Sequence, residues 1–203
     1  MVEQVFLKLE DAAMYENKIE FLVGKKIVKN FFVSPFDKTI CEFISDLSND
    51  LIYSKETSEY PDVKAFAFWC RKKNILKFSN MLNSDELRMG LGTIFHITPS
   101  NIPTNFAYSL IFGLINGNSN IIKVPSKNFK QVQIICNSIN KILKKYKIIR
   151  KMISIIRYKN LDKITEKLSL SCSARIIWGG NKSINQIRKF PIHERTLDLA
   201  FAD

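Results

Sequence analysis

Apolar positions change their rhythm near residue 90. From Asp37 to about Leu82 they recur at three- and four-residue intervals. Ile40, Phe43, Ile44, Leu47 and Leu51 form one such series, and Val63, Phe66, Trp69 and Ile75 another, which predicts helices with one buried stripe each. Pro61 suits the first turn of the second helix, where a missing N–H costs nothing. Residues 1–35 read as short extended pieces, VFLKLE and KIEFLVGKKIVKNFFV. After Gly90 the runs LGTIFHI, NIIKV, MISIIRY and ARIIW are short, apolar and bounded by turn-forming residues. Segments 103–115, 128–147 and 159–171 between them are long enough for helices. Strand and helix alternate, which predicts an α/β fold: a mainly parallel sheet with helices on its faces. Six of the seven glycines lie between Gly90 and Gly180. The expected division is therefore 1–89, an extended and helical N-terminal region, and 90–203, an α/β domain.

Composition adds little to the fold but narrows the function. The chain has 203 residues, 46% hydrophobic and 25% charged, the balance of a globular domain rather than a disordered segment. No apolar run reaches the roughly 18–20 residues of a membrane span. The N-terminal MVEQVFLKLEDAA lacks a basic-then-apolar signal pattern, so the expected compartment is the cytoplasm. Cys41, Cys70, Cys136 and Cys172 form no CxxC pair, so reduced thiols are expected and no metal site. The net charge of +12 calls for an anionic partner, such as a phosphate-bearing cofactor. Its densest part, 141–163, alternates Lys and Arg with Ile and Leu rather than with exposed aromatics. That pattern describes a solvated helix face followed by a strand, and nucleic acid is not the expected partner.

In parallel α/β sheets, ligands bind beyond the carboxyl ends of the strands. Three polar phrases fall there: PSNIP after the first strand, KVPS at the second, WGGNKS after the fourth. Lys123 ends an apolar run, where it could donate to ribose hydroxyls or a phosphate, or snorkel to water. Asn101, between two prolines, could donate amide protons to an oxygen that becomes negative, or close an Asx turn. Gly179 and Gly180 permit close backbone approach, and Asn181 or Ser183 can cap the following helix. Such a turn is either a phosphate seat or a plain strand-to-helix connection. GxGxxG and GK[ST] fingerprints are both missing. The two histidines, His96 in an apolar strand and His193 after Pro191, are expected to be structural.

Taken together, ITPSNIP, GLINGNSNIIKVPS and IIWGGNKSINQIR resemble, in order and spacing, the cofactor-binding domain of the aldehyde dehydrogenase superfamily. PDVKAFAFWCRKKNI and HERTLDLAFAD extend the likeness, and the chain resembles the acyl-CoA reductase family, the fatty-acid reductase component of bacterial bioluminescence systems. The resemblance implies an aldehyde-dehydrogenase-like, Rossmann-type fold, with 90–203 as its nucleotide-binding domain. It implies reduction of a long-chain acyl thioester to a fatty aldehyde through an acyl-cysteine. Asn101 matches the oxyanion-hole asparagine, and Lys123 the lysine on the adenosine ribose. Ser126 stands where many relatives carry a diol-binding glutamate. Gly180 and Asn181, with Gly179, match the turn under the pyrophosphate. A carboxylate at 126 would repel the extra ribose phosphate of NADPH, whereas Ser126 with Lys127 beside it favours that cofactor over NADH. The expected partners are long-chain acyl-CoA or an acylated partner protein, and an oligomer is expected. The superfamily's nucleophilic cysteine lies well downstream of the glycine turn, and none of the four cysteines matches it. Cys172 precedes the fourth strand and should sit at the opposite edge of the sheet. The chain therefore reads as an N-terminal fragment carrying the cofactor half. The alternative is a catalytically silent nucleotide-binding or assembly module derived from such an enzyme.

Overall fold

The computed structural model describes residues 19–28, 30–81, 87–159 and 162–202. The predicted VFLKLE piece and Leu82 lie outside them. The described residues open with β1 (Glu20–Val23), then three helices, α1 (Lys38–Tyr53), α2 (Pro61–Trp69) and α3 (Lys72–Ser79). Alternation follows: β2 (Thr93–Ile97), α4 (Asn105–Ile115), β3 (Ser119–Lys123), α5 (Lys130–Ile142), β4 (Ile153–Arg157). It ends with α6 (Asp162–Ser171), β5 (Ala174–Trp178), α7 (Asn181–Ile187) and β6 (Leu197–Phe201). One six-stranded sheet runs β1-β4-β3-β2-β5-β6. All pairs are parallel except β1 with β4. The α/β architecture read from the sequence is the one observed.

Local chemistry accounts for the helical layer. Asp37 caps α1, its Oδ1 accepting from Thr39 N at 2.8 Å and Ile40 N at 3.3 Å. Ile40, Phe43, Ile44, Leu47 and Leu51 form the buried stripe of α1, each worth about 1.5–3 kcal/mol of transfer from water. Pro61 is the first residue of α2, as its fixed φ predicts. These helices share one core with α4 and α5 on one face of the sheet. The other face packs α6 against Phe95, Ile97, Ile121 and Ile156. The helical region and the α/β region thus bury a common interior.

The basic stretch behaves differently from the sequence reading. Helix α5 ends at Ile142 rather than near 147, and turns and a short 3-10 segment, Ile149–Lys151, lead into β4. Lys141 bonds Asp50, and Lys145 reaches Asp46 at 2.9 Å, so two of these cations fasten the end of α5 region to α1. Both lysine side chains stay mostly in water, so the pairs are screened and contribute little. No helix among the described residues is long and apolar enough to cross a membrane.

Candidate functional site

Parallel pairing brings the three polar phrases to one edge. Ile97 is in register with both Lys123 and Ile177, so β2, β3 and β5 end side by side. The loop after β2 is tied to the end of β3: Thr98 donates to Lys123 O from N at 3.2 Å and from Oγ1 at 2.9 Å. Asn101 is exposed in that loop. Ser126 is exposed after β3 and donates to Tyr158 O at 3.2 Å, joining this loop to the end of β4. Gly179 and Gly180 follow β5, with Gly179 N donating to Phe201 O at 3.2 Å.

Lys123 ends β3 at this edge. It is half-buried, and among the described residues no carboxylate pairs with it. Burial alone holds its ammonium below the usual lysine range. Its Nζ lies over the Tyr158 ring, 5.1 Å from the centroid. Lys127 is exposed, its Nζ 5.1 Å from the centre of the Phe129 ring, three residues before the first residue of α5.

The glycine turn departs from the sequence reading in one respect. Gly180 is itself the N-cap of α7, without a side-chain cap, and Asn181 is the first helical residue. Neither Asn181 nor Ser183 caps; Ser183 N instead donates to Gly180 O at 2.9 Å. Gly179 has φ 149°, which side chains rarely adopt. A Cβ built on Gly180 would meet nothing within 4 Å, so the protein itself does not require a glycine there.

Of the four cysteines, Cys172 precedes β5 at the opposite edge, buried, with burial raising its thiol to about 11. Burial also raises the thiols of Cys41, Cys70 and Cys136. Among the described residues no cluster of His, Cys, Asp or Glu could hold a metal ion. His193 is exposed, its Nδ1 accepting from Arg195 N at 3.3 Å. His96 is fully buried with both ring nitrogens engaged, Nδ1 with Ser109 and Nε2 with Asn120.

Three features went unnoticed in the sequence. Trp178 ends β5 at this edge, its indole stacked on Phe201 with centroids 4.3 Å apart. Asn105 Oδ1, at the start of α4, is buried without a hydrogen-bond partner among the described residues. Arg175 is a buried cation inside β5, paired with Asp198 of β6. Only the position of Trp178, directly before two glycines, was a usable signal.

A mostly parallel six-stranded sheet with flanking helices, as found here, is an aldehyde-dehydrogenase-like α/β fold. Solved structures share it. Glyceraldehyde-3-phosphate dehydrogenase GapN from Methanocaldococcus jannaschii, complexed with NADP, superposes with TM-score 0.60 at 14% identity, covering 81% of this chain and 41% of that one. The NAD-dependent benzaldehyde dehydrogenase of Corynebacterium glutamicum gives 0.61 at 12%, covering 95% and 45%. Proline utilization A of Bradyrhizobium japonicum gives 0.61 at 14%, covering 83% and 20%. The chain thus spans less than half the length of each. Residues 25–201 match the family described as acyl-CoA reductase (LuxC), and the chain belongs to that family. No curated protein matches it in sequence.

Proposed function

We propose that this chain is the cofactor-binding part of a long-chain acyl thioester reductase that makes fatty aldehyde with NADPH. The observation that carries the reading is Lys123: a desolvated ammonium without a carboxylate, at the carboxyl end of a central strand. Leaving a charge so placed is unfavourable unless an anion or several acceptors meet it. A dinucleotide offers both. The residues fit such a group: Lys123 would hold the adenosine ribose, the open Gly180 and the start of α7 would face the pyrophosphate, and Ser126 would tolerate a phosphorylated ribose. Two unit charges about 4 Å apart near a protein surface interact by roughly 4 kcal/mol before desolvation. A screened third of that gives about a tenfold preference for NADPH over NADH.

When bound, the reduced nicotinamide supplies the hydride. The chain's own contribution is placement and charge. Asn101, in the loop anchored to Lys123 O, would donate an amide proton to the thioester oxygen as it becomes negative. In this reading the attacking thiol is none of the four cysteines: burial raises the pKa of each, which disfavours the thiolate, and Cys172 precedes β5 at the opposite edge. The chain by itself is therefore expected to bind cofactor without making aldehyde. The acyl donor in this reading is a long-chain acyl-CoA or an acylated partner protein, and the working enzyme an oligomer.

Calorimetric titration with NADPH and NADH at low salt tests the reading. The expected result is roughly tenfold tighter NADPH binding, lost in Lys123→Ala and reversed toward NADH in Ser126→Glu. Equal affinities, or a Ser126→Glu variant that keeps the NADPH preference, would remove the basis for the cofactor assignment. Aldehyde formed from long-chain acyl-CoA by this chain alone would overturn the division of labour.

A further inference from the structure

Three buried side chains and one half-buried indole form an unbroken file of hydrogen bonds beneath the candidate site. Asn120 Nδ2 donates to Asn118 O at 2.7 Å, which turns Asn120 Oδ1 toward His96 Nε2 at 3.0 Å. An amide oxygen only accepts, so Nε2 carries the imidazole proton. Nδ1 is left as the acceptor, and Ser109 Oγ donates to it across 2.7 Å. Ser109 Oγ then accepts from Trp178 Nε1–H at 3.1 Å. Each bond has one direction, and the file ends on an indole at the carboxyl edge of the sheet.

The fold makes room for this file. A Cβ on Gly113 of α4 would collide with Asn120 Oδ1, so the helix forgoes a side chain there. Apolar residues of similar shape could fill the same core at little loss of stability. What they could not supply is orientation. A tryptophan ring turns broadly about its second torsion, so its plane is set by neighbours. Here Ser109 holds the indole edge, and Phe201 covers one face at an interplanar angle of 18°. Trp178 stays partly open and directly precedes Gly179.

We propose that Trp178 is a wall of the dinucleotide seat that contacts the nicotinamide half of the cofactor. Ser109, braced by His96 and Asn120, is a positioning residue that fixes the indole for that contact. The inference rests on the nucleotide reading above. The order of strands assigns the half: Lys123 ends β3, Trp178 ends β5, and β2 lies between them. Two strand spacings, about 10 Å, separate them along the edge. If Lys123 serves the adenosine ribose, a group that far across the edge meets the other end of an extended dinucleotide.

The experiment uses this chain in a Trp69→Phe background, where Trp178 is the remaining one of two tryptophans. NADPH is expected to quench its emission, whereas adenosine bisphosphate, the other half of the cofactor alone, is expected to bind without quenching. By calorimetry, Ser109→Ala and Trp178→Phe should each weaken NADPH about fivefold, the worth of about one hydrogen bond. Adenosine bisphosphate affinity should not change. The double variant should lose no more than either single one, because both remove the same bond. Ser109→Thr, which keeps the hydroxyl, should recover NADPH affinity. Unchanged NADPH affinity in both single variants, or additive losses in the double one, overturns the positioning role. Intact NADPH binding without quenching overturns the wall. Failure of the unmodified chain to bind either ligand overturns the nucleotide reading and this inference with it.

Discussion

Gly179 has φ 149° and closes the turn after β5, whereas Gly180 beside it has an ordinary φ of −68° and open space at its Cβ. The first needs glycine for its backbone; the second has no such need inside the chain. Gly179→Ala is expected to cost about 1–3 kcal/mol of stability through strain. Gly180→Ala should change stability by less than about 0.5 kcal/mol yet, on the proposed function, weaken NADPH binding, because the added methyl would stand where the pyrophosphate is proposed to sit. Thermal melts and calorimetry on the two variants separate these outcomes; a destabilised Gly180→Ala with normal binding would reverse the assignment. His96 gives a second prediction at this scale. Burial pushes its pKa down to about 4, with the Asn120 hydrogen bond opposing. Between about pH 6.5, where the unfolded imidazole titrates, and that value, the unfolded chain binds the extra proton and the folded chain does not. Stability therefore falls as pH drops through this window, by about 3 kcal/mol in all. Urea unfolding at pH values across the window should show the loss, and His96→Gln, whose amide can both donate and accept, should abolish it.

Strands β5 and β6 are joined by more than backbone. The Arg175 guanidinium, 1% exposed, meets Asp198 through two bonds, Nε–Oδ1 at 2.9 Å and Nη2–Oδ2 at 3.1 Å. Its Nη1 also donates to Ser169 Oγ and to the Ile187 and Phe190 carbonyls, so every side of the fork is satisfied. Burial pushes the Asp198 carboxyl up, but bonds and charge from Arg175 and Arg188 outweigh it and hold it below the carboxylate range. Asp198→Ala would strand a buried cation and is expected to cost about 3–5 kcal/mol, measured by denaturant unfolding. A loss under about 1 kcal/mol would mean that Arg175 finds water instead. The strands themselves were legible, because LGTIFHI, NIIKV, MISIIRY and ARIIW are short apolar runs closed by turn residues, and the parallel sheet followed from the helices between them. Arg175 was not legible inside ARIIW, because its partner lies 23 residues away and only β5–β6 pairing brings it there. The His96 file was equally hidden: Ser109 and Trp178 meet it through the crossing of α4 over the sheet, which no local pattern encodes. The edge that gathers Asn101, Lys123 and Gly180 could be read because strand direction alone decides it. The antiparallel direction of β1 could not, since it depends on a crossover of the whole helical layer.

Over the whole chain, 31 basic residues against 19 acidic ones give a net charge of +12, which attracts anions. Much of the densest run lies before β4, at the opposite edge, so it steers anions at long range rather than touching them. Raising ionic strength from about 0.1 M to 1 M shortens the screening length from about 10 Å to 3 Å. NADPH affinity is expected to fall across that range by a larger factor than NADH affinity, since NADPH carries the additional phosphate. Parallel titrations at the two salt levels measure it, and equal slopes would show that the extra phosphate meets no cation here.

The one antiparallel pair of the sheet has a consequence for how the chain is made. Glu20 of β1 bonds Arg157 of β4 across 137 residues. During synthesis at about 5–20 residues per second, β1 emerges roughly 7–27 s before its partner strand exists. For that interval Phe21, Leu22 and Val23 have no strand to join, while the capped, locally encoded α1 can already form. Strand β1 is thus locked only once β4 exists, and a nascent chain held before residue 150 should present it to chaperones.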